Sequence, residues 1–478
     1  MFINGTVFTE EEARQIHYNA LELLAKEGML VTEKRARDDF EKAGCSIKEE
    51  RVYIPHYLIE ETIKFTPRKF SMYDSNGQRF LGIGGDETSF GPGGFESLYL
   101  DWRDGQVKDS DYQGLVDETK IVEMTDEIGW IKTSVQPVEK PACIQDLWMA
   151  KGGLVYSRKP LHTSPFGKLG SSGLIEMAAE VMGGTDVLKE KPHLMFNMCT
   201  LSPLTMRIDM SESIREAAKY GVPCFFTSGP MAGATAPVTL AGELTQAWAE
   251  ILGHNAYLQI IQPGSPAVFA SWSRIFDMKN ATCTVGTPEY ALMRQAITQL
   301  GKRIEVPTGG GGFITDSNVL DMQCGWEKFM NGLGDMRAHQ NLIYGLGLIS
   351  QMNIFSLESM VIDCEMIGVI RRLLEGIQVD PVHLAYDEIA ANKKKGRFLS
   401  SKHTKEHYIS EVFWPEFSDR RTYGTWLKDE GRNDIRKRAC MKIEERLKQY
   451  DYTKGLEKEE ELDKIISKYE ALHKKLES

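Results

Sequence analysis

From about residue 125 the chain alternates short apolar runs with longer helical patterns, and no other feature restricts its fold as much. The candidate strands are Trp130–Ser134, Leu161–Ser164, Leu194–Met198, Cys224–Thr227, Ala267–Ala270, Ile304–Val306 and Ile354–Phe355. Helical patterns lie between them at Ser211–Tyr220, Thr239–Ile261, Pro288–Leu300, Asn318–Gly332 and Asp335–Ser350. A strand that crosses over through a helix to the next strand builds a parallel sheet. With an eighth strand near Thr88–Phe90, the spacing predicts an α/β fold, a (β/α)8 TIM barrel, with an open doubly wound sheet as the alternative. The expected organisation is an N-terminal helical extension over 1–80, the barrel over 81–378 and a C-terminal helical extension over 379–478. Residues 9–65 read as helices, the first capped at Thr9-Glu-Glu-Glu and carrying the apolar stripe Ile16, Ala20, Leu23 and Leu24. From Asn433 onward Lys and Glu alternate with Leu and Ile at helical spacing, a solvated helix packed on one face.

Charge and cysteine usage narrow the class. A net charge of −11 argues against nucleic acid or an anionic membrane surface as partner, since both attract a basic patch. The N-terminus has neither the basic region nor the apolar core of a signal peptide, and no run of apolar residues is long enough to span a bilayer, so a cytoplasmic location is expected. The cysteines, from Cys45 to Cys440, are scattered, which fits reduced thiols rather than a disulfide frame or a cysteine zinc site. His403 and His407 have i,i+4 spacing, but their flanks are polar and lack the glutamate of a zinc-protease helix, so they read as a solvated face. No resident metal is expected.

The loops that follow the strands carry the candidate site, because in a (β/α)8 barrel they line its mouth. Ser202-Pro-Leu, Thr227 to Gly242, Ser271-Trp-Ser-Arg274 and Ser356-Leu-Glu-Ser are rich in small residues that leave room for a ligand. Four consecutive glycines, Gly309, Gly310, Gly311 and Gly312, follow Ile304-Glu-Val-Pro307 and are read as a turn where backbone approaches a ligand, together with Gly233. Asp316, Gln323 and Glu327 come next. Asp316 is placed as a helix cap, and Gln323 and Glu327 share one helix face. These three are the candidate active-site residues, assigned to shaping the pocket rather than to proton transfer. The candidate substrate wall is Phe95, Tyr99, Phe313, Trp326, Tyr344 and Phe355 with Glu358, since aromatic faces attract an alkylammonium cation. No G-x-S-x-G elbow, phosphate loop or dinucleotide fingerprint occurs. The pattern is a large pocket without an evident nucleophile of its own.

Several segments together resemble the trimethylamine methyltransferase superfamily, in particular members without pyrrolysine such as the glycine betaine:corrinoid methyltransferases. They are Phe90-Gly-Pro-Gly-Gly, Lys159-Pro-Leu-His, Ser202-Pro-Leu, Pro230 to Gly242, Ala249-Glu-Ile-Leu, Gln262-Pro-Gly-Ser-Pro, Asp316 to Gln323, Asn341-Leu-Ile-Tyr-Gly and Asp363-Cys-Glu365. The resemblance implies a barrel that moves a methyl group from a quaternary amine to the Co(I) centre of a cognate corrinoid protein. It implies no intrinsically bound cofactor, the corrinoid (cobalamin) being carried by that partner. A homo-oligomer is expected. Leu98 and Leu346-Gly-Leu348 are apolar where such relatives look polar, which leaves carnitine, proline betaine and γ-butyrobetaine open beside glycine betaine. Two other readings stand beside this one: a non-catalytic quaternary-amine-binding barrel, and a TIM-barrel enzyme of other chemistry.

Overall fold

In the computed structural model of the chain, residues 6–394, 396–428, 431 and 433–477 are described; the first five residues, part of the stretch read for a leader, lie outside them. Seven parallel strands form the centre: β1 (Ser89–Pro92), β2 (Leu161–Thr163), β3 (Leu194–Cys199), β4 (Cys224–Ser228), β5 (Ala267–Ser271), β6 (Thr308–Gly311) and β7 (Leu342–Leu346). They lie in the order β1-β7-β6-β5-β4-β3-β2. Both edge strands meet one further segment through isolated parallel bridges, Phe90 with Ile128 and Leu161 with Ile131. Helices follow in turn: α1 (Gln145–Tyr156), α2 (Gly167–Met182), α3 (Ile208–Tyr220), α4 (Leu240–Ile261), α5 (Pro288–Arg303), α6 (Met322–Arg337) and α7 (Leu357–Glu375). The chain therefore has an α/β fold built on a parallel sheet.

Local sequence explains most of the boundaries. Thr287 caps α5 by accepting from the Tyr290 amide, with Pro288 at the first helical position. Asp321 caps α6 through the Cys324 amide at 2.9 Å, so Asp316 is not the cap that was expected. Ser356 caps α7 through Ser359 at 3.1 Å. Strands β2 to β5 form within one residue of their predicted bounds, because each is a short buried run between turn residues.

Other elements differ from expectation. Ile304–Val306 is not a strand: Glu305 has φ 58° and the chain turns there. The strand is the glycine run itself, Thr308–Gly311. A Cβ on Gly309 would stand 2.3 Å from the Phe225 ring, and one on Gly312 2.3 Å from the Ile343 side chain. The glycines serve close packing, which weak strand propensity conceals in the sequence. The pattern taken as one helix over Asp335–Ser350 splits into the end of α6 and strand β7. Ile354–Ser356 belongs to a separate four-stranded sheet, paired with Leu98–Leu100. Trp130–Ser134 supplies bridges rather than a strand. The N-terminal region is not wholly helical; Met29–Val31, Ser46–Lys48 and Arg51–Tyr53 join Thr205–Met206 in a small sheet. The C-terminal region is helical at Tyr386–Asn392, Lys402–Glu411, Tyr423–Leu427, Ile435–Gln449 and Glu459–Glu477.

Two apolar layers position the site. The larger lies between the strands and their helices. The smaller occupies the inner face of the strands and includes Trp130, Met195, Phe225, Val268, Leu342 and Tyr344. Each such side chain contributes roughly 1.5–3 kcal/mol on burial. An antiparallel hairpin, Phe70–Tyr73 with Arg79–Ile83, packs Met72 and Ile83 into this inner layer. Tyr73 donates its amide to Pro192 just before β3, so the hairpin covers the N-terminal ends of the strands. The opposite ends remain open.

Candidate functional site

A cavity of about 760 Å³ lies at the C-terminal ends of the strands. Its wall combines Phe95 and Glu96 beyond β1, Lys132 beyond the bridging segment, Asn197 to Cys199 of β3, Trp272 and Arg274 beyond β5, and Tyr344 of β7. Gln351, Met352 and Asn353 stand at the rim. A volume of this size suits a small organic molecule.

The wall is held by buried polar clamps. Glu250 on α4 accepts from Thr200 and Ser202 at 2.9 and 2.8 Å, from Ser228 at 2.7 Å, from the Leu204 amide at 3.0 Å and from Gln246 at 3.1 Å. One carboxylate thus ties the loop after β3 to the end of β4, which gives Ser202-Pro-Leu and Ala249-Glu-Ile-Leu a shared physical role. Lys159 donates to the carbonyls of Val122, Thr125 and Ile128, each at 2.7 Å, and fixes the approach to the bridging segment. Burial lowers its amine to about 8. Glu118 accepts from the Ser134 and Val135 amides and holds the chain just beyond Lys132; burial raises it to about 7. Asp363 on α7 accepts from Lys328 at 2.7 Å and from the Gly347 amide at 2.9 Å, bracing the loop after β7.

Within the cavity the charges are less well matched. Lys132 Nζ lies 4.2 Å from the centre of the Tyr344 ring and 6.0 Å from that of Phe95. Burial pushes its amine below the ordinary lysine value. Burial also pushes the Glu96 carboxyl well above its ordinary value, the Lys132 charge opposing it. Arg274 stacks on Trp272 with 4.5 Å from guanidinium to ring and donates to the Trp272 carbonyl at 3.3 Å. Asn197 donates to Ser164 and accepts from Thr227, both at 2.9 Å, so its amide is fixed in orientation. His162 sits below, between Trp130 and Phe225 at centroid distances of 5.0 and 4.8 Å. Burial first, and the Lys132 charge second, hold its imidazole neutral.

The residues predicted from sequence separate into three groups. Phe95 and Tyr344 line the cavity. Asp316, Gln323 and Glu327 do come together: Glu327 accepts from the Asp316 amide at 2.8 Å and from Gln323 at 2.9 Å, while Asp316 accepts from the Val285 amide at 2.7 Å. Val285 lines the cavity, whereas the three polar residues stand behind it and clamp the loop after β6. The remainder lie elsewhere. Phe313 and Phe355 are buried core, Phe313 against Phe90 at 6.1 Å. Trp326 is 53% exposed on the outer face of α6. Tyr99 belongs to the separate sheet, and the buried Glu358 pairs with Arg436 at 3.1 Å. Gly233 closes a turn at φ 88°, and Gly309, Gly310 and Gly311 are strand. The cavity wall also includes Lys132, Glu96 and Asn197, which the sequence reading does not single out. The signal for Lys132 was available: a lone charge inside a predicted apolar strand must face the interior or the mouth.

Comparison with known proteins adds an independent line. The family model described as trimethylamine methyltransferase (MTTB) matches residues 2–472. The chain is 29% identical over 425 residues to a glycine betaine methyltransferase of Desulfitobacterium hafniense (strain Y51), covering 88% of each chain. It is 30% identical over 459 residues to the trimethylamine methyltransferase MttB of Methanosarcina thermophila, covering 94% of each. Among solved structures, the monomethylamine methyltransferase MtmB of Methanosarcina barkeri matches at 12% identity and a TM-score of 0.49, covering 93% of this chain and 97% of that one.

Proposed function

The chain belongs to the trimethylamine methyltransferase (MTTB) family, and from that premise we propose that it transfers a methyl group from a quaternary amine of the betaine type to the reduced corrinoid of a partner protein. We read the parallel sheet as a (β/α)8 barrel whose eighth position is the Ile128–Ile131 segment, bridged to both edge strands. The cavity then lies at the barrel mouth, where such folds place their chemistry.

The observation that carries this reading is the wall of that cavity: four aromatic rings, Phe95, Phe166, Trp272 and Tyr344, around an open space of about 760 Å³. Ring faces attract an alkylammonium group, and an open mouth admits a second macromolecule. When docked, the corrinoid supplies cobalt(I), the nucleophile that accepts the methyl carbon. The C–N bond breaks with its electron pair remaining on nitrogen, so the amine leaves neutral and no proton moves. The chain's own work is positioning. Its aromatic walls hold the ammonium, the Glu250 and Glu327 clamps fix the loops, and the closed floor excludes water from the far side.

The test is a methyl-transfer assay with the reduced corrinoid protein, read by the cobalt absorption change, across betaines, carnitine, choline and trimethylamine. Transfer from quaternary amines and none from trimethylamine is expected. Transfer from trimethylamine alone, or from none of them, would reject the reading.

A further inference from the structure

Four lysines are buried in the described structure: Lys132, Lys151, Lys159 and Lys328. Three have partners that account for their burial. Lys151 donates to Asp463 at 2.7 Å, Lys159 to three carbonyls, and Lys328 to Asp363 and Ser359 at 2.7 and 2.8 Å. Lys132 has no such set. It is 4% exposed, lines the cavity, has no hydrogen-bond or ion-pair partner for its amine among the described residues, and lies over the ring faces of Tyr344 and Phe95. Glu96 shares the cavity without forming an ion pair with it, and its Oε2 has no hydrogen-bond partner among the described residues. An ammonium removed from water and left without a direct ionic contact costs free energy unless a ligand supplies one.

We propose that Lys132 anchors a carboxylate of the substrate at the buried end of the cavity. The substrate is then a zwitterion, with a carboxylate at one end and a quaternary ammonium at the other. This rests on the quaternary-amine reading and sharpens it. Tyr344 already covers one side of the ammonium, so an anion approaching from the cavity completes its surroundings. Asn197, fixed by Ser164 and Thr227, lies on the same wall. Binding the carboxylate at the closed end directs the ammonium toward Trp272 and the rim. The methyl group is thereby presented at the opening, where an incoming nucleophile must arrive. A molecule of the same shape lacking the carboxylate leaves Lys132 unpaired and is discriminated against for that reason.

Calorimetric titration of the full chain tests this with three ligands of one skeleton: a trimethylammonio carboxylate, its methyl ester and the corresponding alcohol, with acetate as a fourth. The wild type is expected to prefer the carboxylate by about tenfold or more, the ratio given by one charge-assisted hydrogen bond. Lys132→Met should erase that preference while leaving the ester and alcohol within about twofold, a difference too small to reflect a lost ionic contact. Lys132→Arg should retain part of it. Unchanged thermal unfolding of both variants shows that the fold survives. Equal binding of carboxylate and ester by the wild type, a preference that survives in Lys132→Met, or no binding of any carboxylate would overturn the assignment. If quaternary ammoniums bind without regard to the carboxylate, the anchor is wrong and the quaternary-amine reading stands. Acetate binding that is lost in Lys132→Met, with no ammonium bound at all, keeps the anchor and removes that reading.

Discussion

Gly309 and Phe225 occupy one space: a Cβ on the glycine would stand 2.3 Å from the phenylalanine ring. Because Phe225 is fully buried between strands, it has nowhere to retreat. Gly309→Ala should therefore destabilise the chain by about 1–3 kcal/mol, the usual cost of forcing extra volume into a packed interior. Chemical denaturation of the two proteins measures it. Equal midpoints would show that β6 can shift and that the glycine run has some other purpose.

Tyr344 offers the cavity its ring rather than its hydroxyl. Tyr344→Phe should keep carboxylate-ligand affinity within about twofold, whereas Tyr344→Ala should lose about 1–2 kcal/mol, the scale of the desolvated cation–π contact that seats Lys132. The alanine variant should lose its preference for carboxylate ligands at the same time. Titration of both variants measures this.

Glu250 gathers five donors from three segments. Glu250→Ala strands buried hydroxyls and an amide, and should cost about 3–5 kcal/mol of stability, comparable to breaking a buried charged network. Glu250→Gln removes the charge while keeping shape, and should fall between. Thermal unfolding orders the three proteins.

Glu243 on α4 is fully buried, with neither carboxylate oxygen given a side-chain partner, and burial raises it to about 8. The unfolded chain ionises this group near the ordinary glutamate value. Between that value and about 8 the folded state therefore holds a proton that the unfolded state has released. Its contribution is complete at low pH and is lost as pH rises through about 8. Glu243→Gln should gain stability relative to wild type progressively across that window, then level off. A difference independent of pH would show that the group does not titrate there.

Methyl transfer from a quaternary ammonium releases a neutral amine, so its pH profile should be shallow between about pH 6 and 8, without the two limbs of a paired acid and base. Glu327 braces a loop through the Thr315 hydroxyl and the Asp316 amide. Glu327→Gln should lower the rate by disturbing that loop and leave the shape of the profile unchanged. A two-limbed profile that vanishes in Glu327→Gln would make the carboxylate a proton carrier.

Periodicity reveals those parts of the fold whose local and tertiary demands agree. Strands β2 to β5 are apolar runs between turn residues, and α4 and α5 carry long helical patterns with clear starts. The reading failed where tertiary packing overrode local preference. Glycine has little tendency to form a strand, yet Thr308–Gly311 is one because Phe225 and Ile314 leave no room for side chains. Leu342–Leu346 was hidden because its apolar run continues the pattern of α6. Of the aromatic wall expected from the sequence, Phe95 and Tyr344 line the cavity at the strand ends. Phe313, Trp326 and Phe355 misled because position in sequence after a strand does not specify which way a ring turns. Lys132 was overlooked because one lysine among apolar residues carries no motif.

The hairpin Phe70–Tyr73 and Arg79–Ile83, packed into the inner layer by Met72 and Ile83, covers the strand ends away from the cavity, whose doorway lies at the opposite ends. Under the proposed reaction that doorway is also the seat of the corrinoid. Loading must then precede docking, and the spent amine stays trapped until the partner departs. Turnover becomes an ordered sequence in which excess corrinoid protein shuts out the small molecule, so partner concentration above an optimum should slow the cycle.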